Sequence, residues 1–287
     1  MRMTLSEKSM IRRCLVASMV LEVSARKAGN VHPQASFSDA TWQDFVLSAM
    51  VVAPILAHAS QMGIGAAVLA SVQATQQVTA GNPNLGMILL LAPLAAAGRP
   101  ERLKQVLNGL TLTDAKHVYR AIALAKPGGL GKAEKGDVTK GDVLPLAQAM
   151  QLAADRDLVA RQYVNHYADV MHLAQLLDKA SRRMPMDQAI VYTHLQQMAL
   201  EPDTLIARKS GRDIASQAQQ RAQQVLDARW PESKQAQQRF NALDRWLRSS
   251  SNKRNPGTSA DLVAAALWVV MKQRGTTGPF AWRENLW

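Results

Sequence analysis

Apolar residues recur at three- and four-residue spacing along most of the 287 positions, and no stretch sustains the two-residue alternation of a half-buried strand. The fold expected is therefore all-α. Thr4-x-x-Glu7, Thr41-x-x-Asp44 and Thr258-x-x-Asp261 each set a hydroxyl three residues ahead of an acid, the spacing that satisfies free N–H groups at a helix start. The periodicity predicts helices near 5–24, 41–60, 63–79, 84–97, 100–109, 114–125, 141–154, 156–180, 186–199, 204–229, 232–248 and 258–273. Leu15, Val20, Val51, Leu56, Leu89, Leu90, Leu91 and Leu267 are expected inside. The Gln-rich stretch 217–238 reads as part of an amphipathic outer helix pair.

An apolar share of 47% supplies a core, and the two longest non-helical pieces, 26–39 and 126–140, do not have the composition of a flexible linker. A single compact domain over 1–287 follows. The most apolar runs, Val46 to Ala59 and Leu85 to Ala97, fall short of the ~20 residues of a membrane span, and no secretory signal is visible. With the lone Cys14 unable to form an internal disulfide, the expected location is the reducing cytoplasm. The formal charge of +12 favours anionic partners, and residues 205–255 hold eleven Lys or Arg against four Asp or Glu, a net +7. A solvated helix face accounts for such a run as well as a binding surface does.

Three segments combine residue types that bind or activate anionic substrates. Glu22 to Pro33 ends an apolar helix in a loop with Arg26, Lys27, Gly29 and His32; a carboxylate buried there must be paired or used, and Arg26 at i+4 is its local partner. Thr79 to Gly86 places Asn82 and Asn84 around Pro83 at a helix N-terminus, where N–H groups and the dipole favour an anion, although Asn also caps helices. Asp203 to Asp213 follows an N-cap acid with Arg208, Lys209 and Arg212, side chains suited to phosphate. A fourth segment, Lys126 to Lys132, is glycine-rich but is not a Walker loop, and Glu134, Asp137 and Asp142 after it read as either an acidic loop or a divalent-ion site.

In this order on a helical chain, these segments resemble the triphosphoribosyl-dephospho-CoA synthase family over nearly the full length. Glu22-Val23-Ser24 and Lys27-Ala28-Gly29 match its first motif, with alanine in place of proline; Asn82 to Gly86 match its second; Asp203-Thr204 through Gly211 match its third. Asn84-Leu85-Gly86 stands where citrate-lyase and malonate-decarboxylase members have His-Lys-Gly. The Leu205-Ile206-Ala207-Arg208-Lys209 and Asn255 to Leu262 segments are similar to the branch found in archaea and methylotrophic bacteria.

The resemblance implies an enzyme that moves triphosphoribose from ATP onto a ribose hydroxyl of dephospho-CoA and releases adenine, through an oxocarbenium-like transition state. It implies phosphate binding by Lys27, Arg208, Lys209 and Arg212, base catalysis by Asp203 or Glu22, and orientation of ribose or base by Asn82 and Asn84. Magnesium is expected on the polyphosphate. These residues are expected to converge on one cleft. An alternative within the family is ribosyl transfer in tetrahydromethanopterin assembly. Outside it stand a basic helical nucleic-acid-binding protein, which lacks a recognised signature here, and a non-catalytic coenzyme-binding protein.

Overall fold

In the computed structural model, residues 3–126 and 143–274 are described. The chain runs α1 (Leu5–Ser24), α2 (Trp42–Leu56), α3 (Ala59–Met62), α4 (Ile64–Val78) and α5 (Leu85–Ala97). A single 3-10 turn then precedes α6 (Leu103–Asn108), α7 (Leu112–Ala125), α8 (Leu146–Ala153), α9 (Leu158–Val164) and α10 (Ala168–Ala180). The last third is α11 (Met186–Leu200), α12 (Thr204–Ser210), α13 (Arg212–Asp227), α14 (Lys234–Arg248), the short extended β1 (Ser249–Asn252) and α15 (Gly257–Gln273). The fold is all-α, and the described helices share one core.

Two helices form its axis. In α15, 13 of 17 residues are buried, and its run of alanines lets α1, α5, α10 and α11 pack closely around it. Helix α5 has no charged residue and is buried on nearly every side, so its backbone must be satisfied internally. Pro93 inside α5 removes the N–H that the Leu89 carbonyl would accept. The Tyr163 hydroxyl replaces it, donating to Leu89 O at 2.6 Å, and Tyr167 donates to Leu90 O at 3.0 Å. Helices α13 and α14 form the outer amphipathic pair, burying Ala215, Ala218, Ala222 and Val225 on one and Ala236, Phe240, Leu243 and Leu247 on the other.

The capping boxes at Thr4 and Thr41 form as spaced, and a further one forms at Thr111–Asp114. The Thr258-x-x-Asp261 box does not: α15 starts on Pro256 without a side-chain cap, and no hydrogen bond joins Asp261 to Thr258. Three expected long helices are each broken in two. The 204–229 span breaks at Gly211 (φ +92°), and the 156–180 span breaks at His166 and Tyr167 (φ +55° and +65°). The 41–60 span stops at Leu56, two residues beyond Pro54. Val20 and Val51 pack against the core but keep part of their surface exposed, whereas Leu15, Leu56, Leu89, Leu90, Leu91 and Leu267 are buried. Cys14 is fully buried, and burial pushes its thiol up to about 11. Among the described residues, no helix is long and apolar enough to cross a membrane.

Candidate active site

The starts of α5, α9 and α15, one face of α12 and the inner faces of α7 and α8 line a cavity of about 590 Å³, the scale of a small-molecule site. One wall is apolar, built from Leu85, Leu89, Val118, Ile122, Met150 and Val159. The other carries Asn82, Asp157, Arg208, Lys209, Asn255 and Asp261. This division follows from the elements: α5 and α7 present helix flanks, whereas the polar wall is made of the starts of α9 and α15, the segments before α5 and α15, and the last turn of α12.

Arg208 is held by a carboxylate that itself caps a helix. Asp157 accepts from Val159 N at 2.8 Å and Ala160 N at 3.3 Å at the start of α9, and its second oxygen receives Arg208 Nη1 at 3.0 Å. That contact fixes the guanidinium against the cavity and leaves Arg208 Nε buried without a partner. Asn82 has both amide atoms buried and unpartnered, and Asn255 Oδ1 is in the same condition. Buried polar atoms without partners carry a desolvation cost of about 1–3 kcal/mol each, which a ligand would offset. Lys209 lines the same wall, and its burial pulls its pKa down.

Asp261 completes the polar wall. No described group hydrogen-bonds its carboxylate, and a Cβ placed on Gly86 would stand 2.0 Å from its Oδ2. Only a glycine permits this approach between the first turns of α5 and α15. Burial pushes the Asp261 carboxyl well above the ordinary carboxylate range; Glu22, Asp203 and Asp157 push the same way, and Arg208 opposes.

The other residues singled out from sequence lie behind this wall or away from it. Glu22 is buried and pairs with Lys27 Nζ at 2.9 Å, while Arg26, the expected i+4 partner, donates to Asn241 Oδ1 at 2.9 Å. Lys27 is fully buried, also donates to the Ala25 carbonyl at 3.3 Å, and does not line the cavity. Burial raises the pKa of Glu22, and Lys27 opposes that. Asp203 does not line the cavity either: its oxygens accept from Leu205 N (2.9 Å), Ile206 N (3.0 Å), Ser259 N (2.7 Å) and Ser259 Oγ (2.8 Å), stitching α12 to α15. Asn84 is buried with its Nδ2 donating to Ser48 Oγ. Arg212 is exposed at the start of α13, outside the cavity. Thus Asn82, Arg208 and Lys209 meet in one cavity, whereas Glu22, Lys27, Asn84, Asp203 and Arg212 do not reach it.

Asp157, Asn255 and Asp261 were not among the sequence candidates. The Asn255-to-Asp261 segment was legible as a motif, but its Thr-x-x-Asp spacing reads as a helix cap. Lys126 lines the cavity, while the rest of the Lys126 to Lys132 segment, with Glu134, Asp137 and Asp142, lies outside the described residues. Among the described residues, no group of three or more His, Cys, Asp or Glu gathers in a metal-binding arrangement.

The chain is similar to a crystal structure from Archaeoglobus fulgidus described as a triphosphoribosyl-dephospho-CoA synthase, at 22% identity and a TM-score of 0.62, over 79% of this chain and 97% of that one. That likeness extends to the fold. No curated protein sequence matches. The model of the family described as CitG, ATP:dephospho-CoA triphosphoribosyl transferase, matches residues 8–278. With the match running through every element that builds the cavity, the chain belongs to the ATP:dephospho-CoA triphosphoribosyl transferase family and is a transferase of triphosphoribose from ATP to dephospho-CoA.

Proposed function

We propose that the cavity between α5, α12 and α15 is where the triphosphoribosyl group passes from ATP to a ribose hydroxyl of dephospho-CoA. The observation that carries this is the grouping on one wall of two cations, Arg208 and Lys209, with the unpartnered polar atoms of Asn82, Asn255 and Arg208 Nε. Arg208 and Lys209 bind the triphosphate, because charge-assisted contacts to phosphate oxygens repay the desolvation of a polyanion. A bound polyanion also favours the charged form of Lys209 that burial disfavours. Asn82 offers a donor and an acceptor together, the pairing that matches the N6 amino group and N7 of adenine, and the apolar wall receives the faces of the base.

The sealed residues act from behind. Glu22 and Asp203 contribute negative potential to the cavity floor, and Lys27 neutralises Glu22 without touching the phosphates. Arg212 takes no part. Magnesium fits a site of this kind because it takes most of its oxygen ligands from polyphosphate and water. Asp39, which lines the cavity and lends negative potential to Lys209, would be its protein ligand. The ion would neutralise charge on the triphosphate. Family membership does not favour nucleic-acid binding, a pterin-coenzyme acceptor or a non-catalytic role.

Incubation with ATP and dephospho-CoA tests the reading. Free adenine and a dephospho-CoA product heavier by one triphosphoribosyl unit are expected, and both should collapse in Arg208→Ala. Release of pyrophosphate or AMP in place of adenine would refute it.

A further inference from the structure

Resting on that reading of the cavity, we propose that Asp261 is a catalytic residue, the acid that protonates the departing adenine. Among the described residues three carboxylates line the cavity, and their surroundings separate them. Asp157 is committed to two backbone N–H groups and to Arg208. Asp39 is exposed and accepts from Asn252 Nδ2. Asp261 alone of the three has no described hydrogen-bond partner, and it stands against the bare Cα of Gly86 between the apolar and polar walls. A carboxyl committed to helix capping cannot exchange a proton without loosening the helix; an uncommitted one can.

The electrostatics favour the neutral carboxyl that donation requires. Glu22 reaches Asp261 from α1, Asp157 from α9 and Asp203 from the start of α12; Arg208 on α12 opposes them, and Lys27 is spent on Glu22. Helix α5, packed on the remaining side, carries no charged residue. Burial among these acids raises the pKa of the carboxyl and favours its protonated form. A neutral carboxylic acid beside the base is what a purine leaving group needs.

The step balances. The bond between C1 of the ribose and the adenine nitrogen breaks with its electron pair going to adenine, and the Asp261 proton passes to the purine, which leaves neutral. The acceptor ribose hydroxyl forms the new bond to C1 and returns its proton to the Asp261 carboxylate. The enzyme ends as it began.

Asp261→Asn keeps the shape and removes the transferable proton. With ATP and dephospho-CoA, kcat is expected to fall ~100-fold or more, the range for loss of a general acid, while the KM for ATP changes less than about threefold. In the wild type kcat declines as rising pH strips the acid of its proton, and this alkaline limb is absent from the residual activity of the variant. A variant kcat within threefold of wild type, or an unchanged alkaline limb, overturns the assignment. Should Asp261→Asn not fold, Gly86→Ala substitutes for it, since alanine suits a helix yet its methyl displaces the carboxyl. A tenfold loss of kcat is then expected, and wild-type kcat with an unmoved limb is the overturning result. If the wild type releases no adenine, the reading of the cavity fails first; if it does and Asp261→Asn matches it, the assignment of the acid fails alone.

Discussion

The molecule holds two clusters of polar side chains within electrostatic reach of each other, and they are built on opposite principles. Behind the cavity wall, Glu22 has Lys27 and Asp203 has four donors. In the wall itself, Asp261, both amide atoms of Asn82, Asn255 Oδ1 and Arg208 Nε have no described partner. Partnered groups stabilise the fold; unpartnered ones cost stability until a ligand arrives. For the acids the difference is sharpest: Glu22 and Asp203 are committed to partners and Asp261 is not, although unpartnered atoms such as Asn84 Oδ1 also occur behind the wall.

The largest expected break in this comparison comes from the sealed cluster. Lys27→Ala strands Glu22 as a buried charge and should cost about 3–5 kcal/mol in denaturant unfolding, with ATP affinity of the folded fraction unchanged. A variant of wild-type stability with weakened ATP binding would move Lys27 into the cavity cluster. Arg208→Ala should do the reverse. Loss of a charge-assisted phosphate contact worth about 1.5–3 kcal/mol weakens ATP binding roughly 10- to 150-fold in a calorimetric titration, with a smaller change in melting temperature.

A smaller effect sharpens the contrast through pH. Because the folded-state pKa of Asp261 is raised, its contribution to stability is present below the ordinary carboxylate value and is lost as pH rises through the folded value. Asp261→Asn should therefore melt a few degrees above wild type at neutral and higher pH, with the gap closing under acid. A variant that melts lower at every pH would place Asp261 with the architecture. Least of all, Arg212→Ala should leave both stability and ATP affinity within about 0.5 kcal/mol of wild type, since its side chain is exposed outside the cavity.

Local signals in the sequence carried most of the fold. The boxes at Thr4 and Thr41 depend on residues three apart, and both form. What the sequence hid is what depends on distant parts of the chain. Helix α1 stops at Ser24, so the i+4 geometry that would join Glu22 to Arg26 is lost and Lys27 folds back instead. Asn82 and Asn84 are two positions apart, yet one faces the cavity and the other reaches Ser48 on α2, a distinction set by how the start of α5 docks. Asp261 was obscured for a related reason: Thr258-x-x-Asp261 has the spacing of a cap, and only the arrival of Gly86 from another helix gives that carboxyl a different surrounding.

Cys14 has a practical consequence. It is the chain's one cysteine, sealed in the core, and with its thiol pushed up to about 11 it holds almost no thiolate at neutral pH. The native protein is thus already blank toward maleimide chemistry. A fluorophore placed by Leu152→Cys, at an exposed position on the cavity rim, should attach in a one-to-one ratio while the parent stays dark. Arrival of ATP at the cavity would then be visible as an optical signal, without first mutating any native residue out of the way.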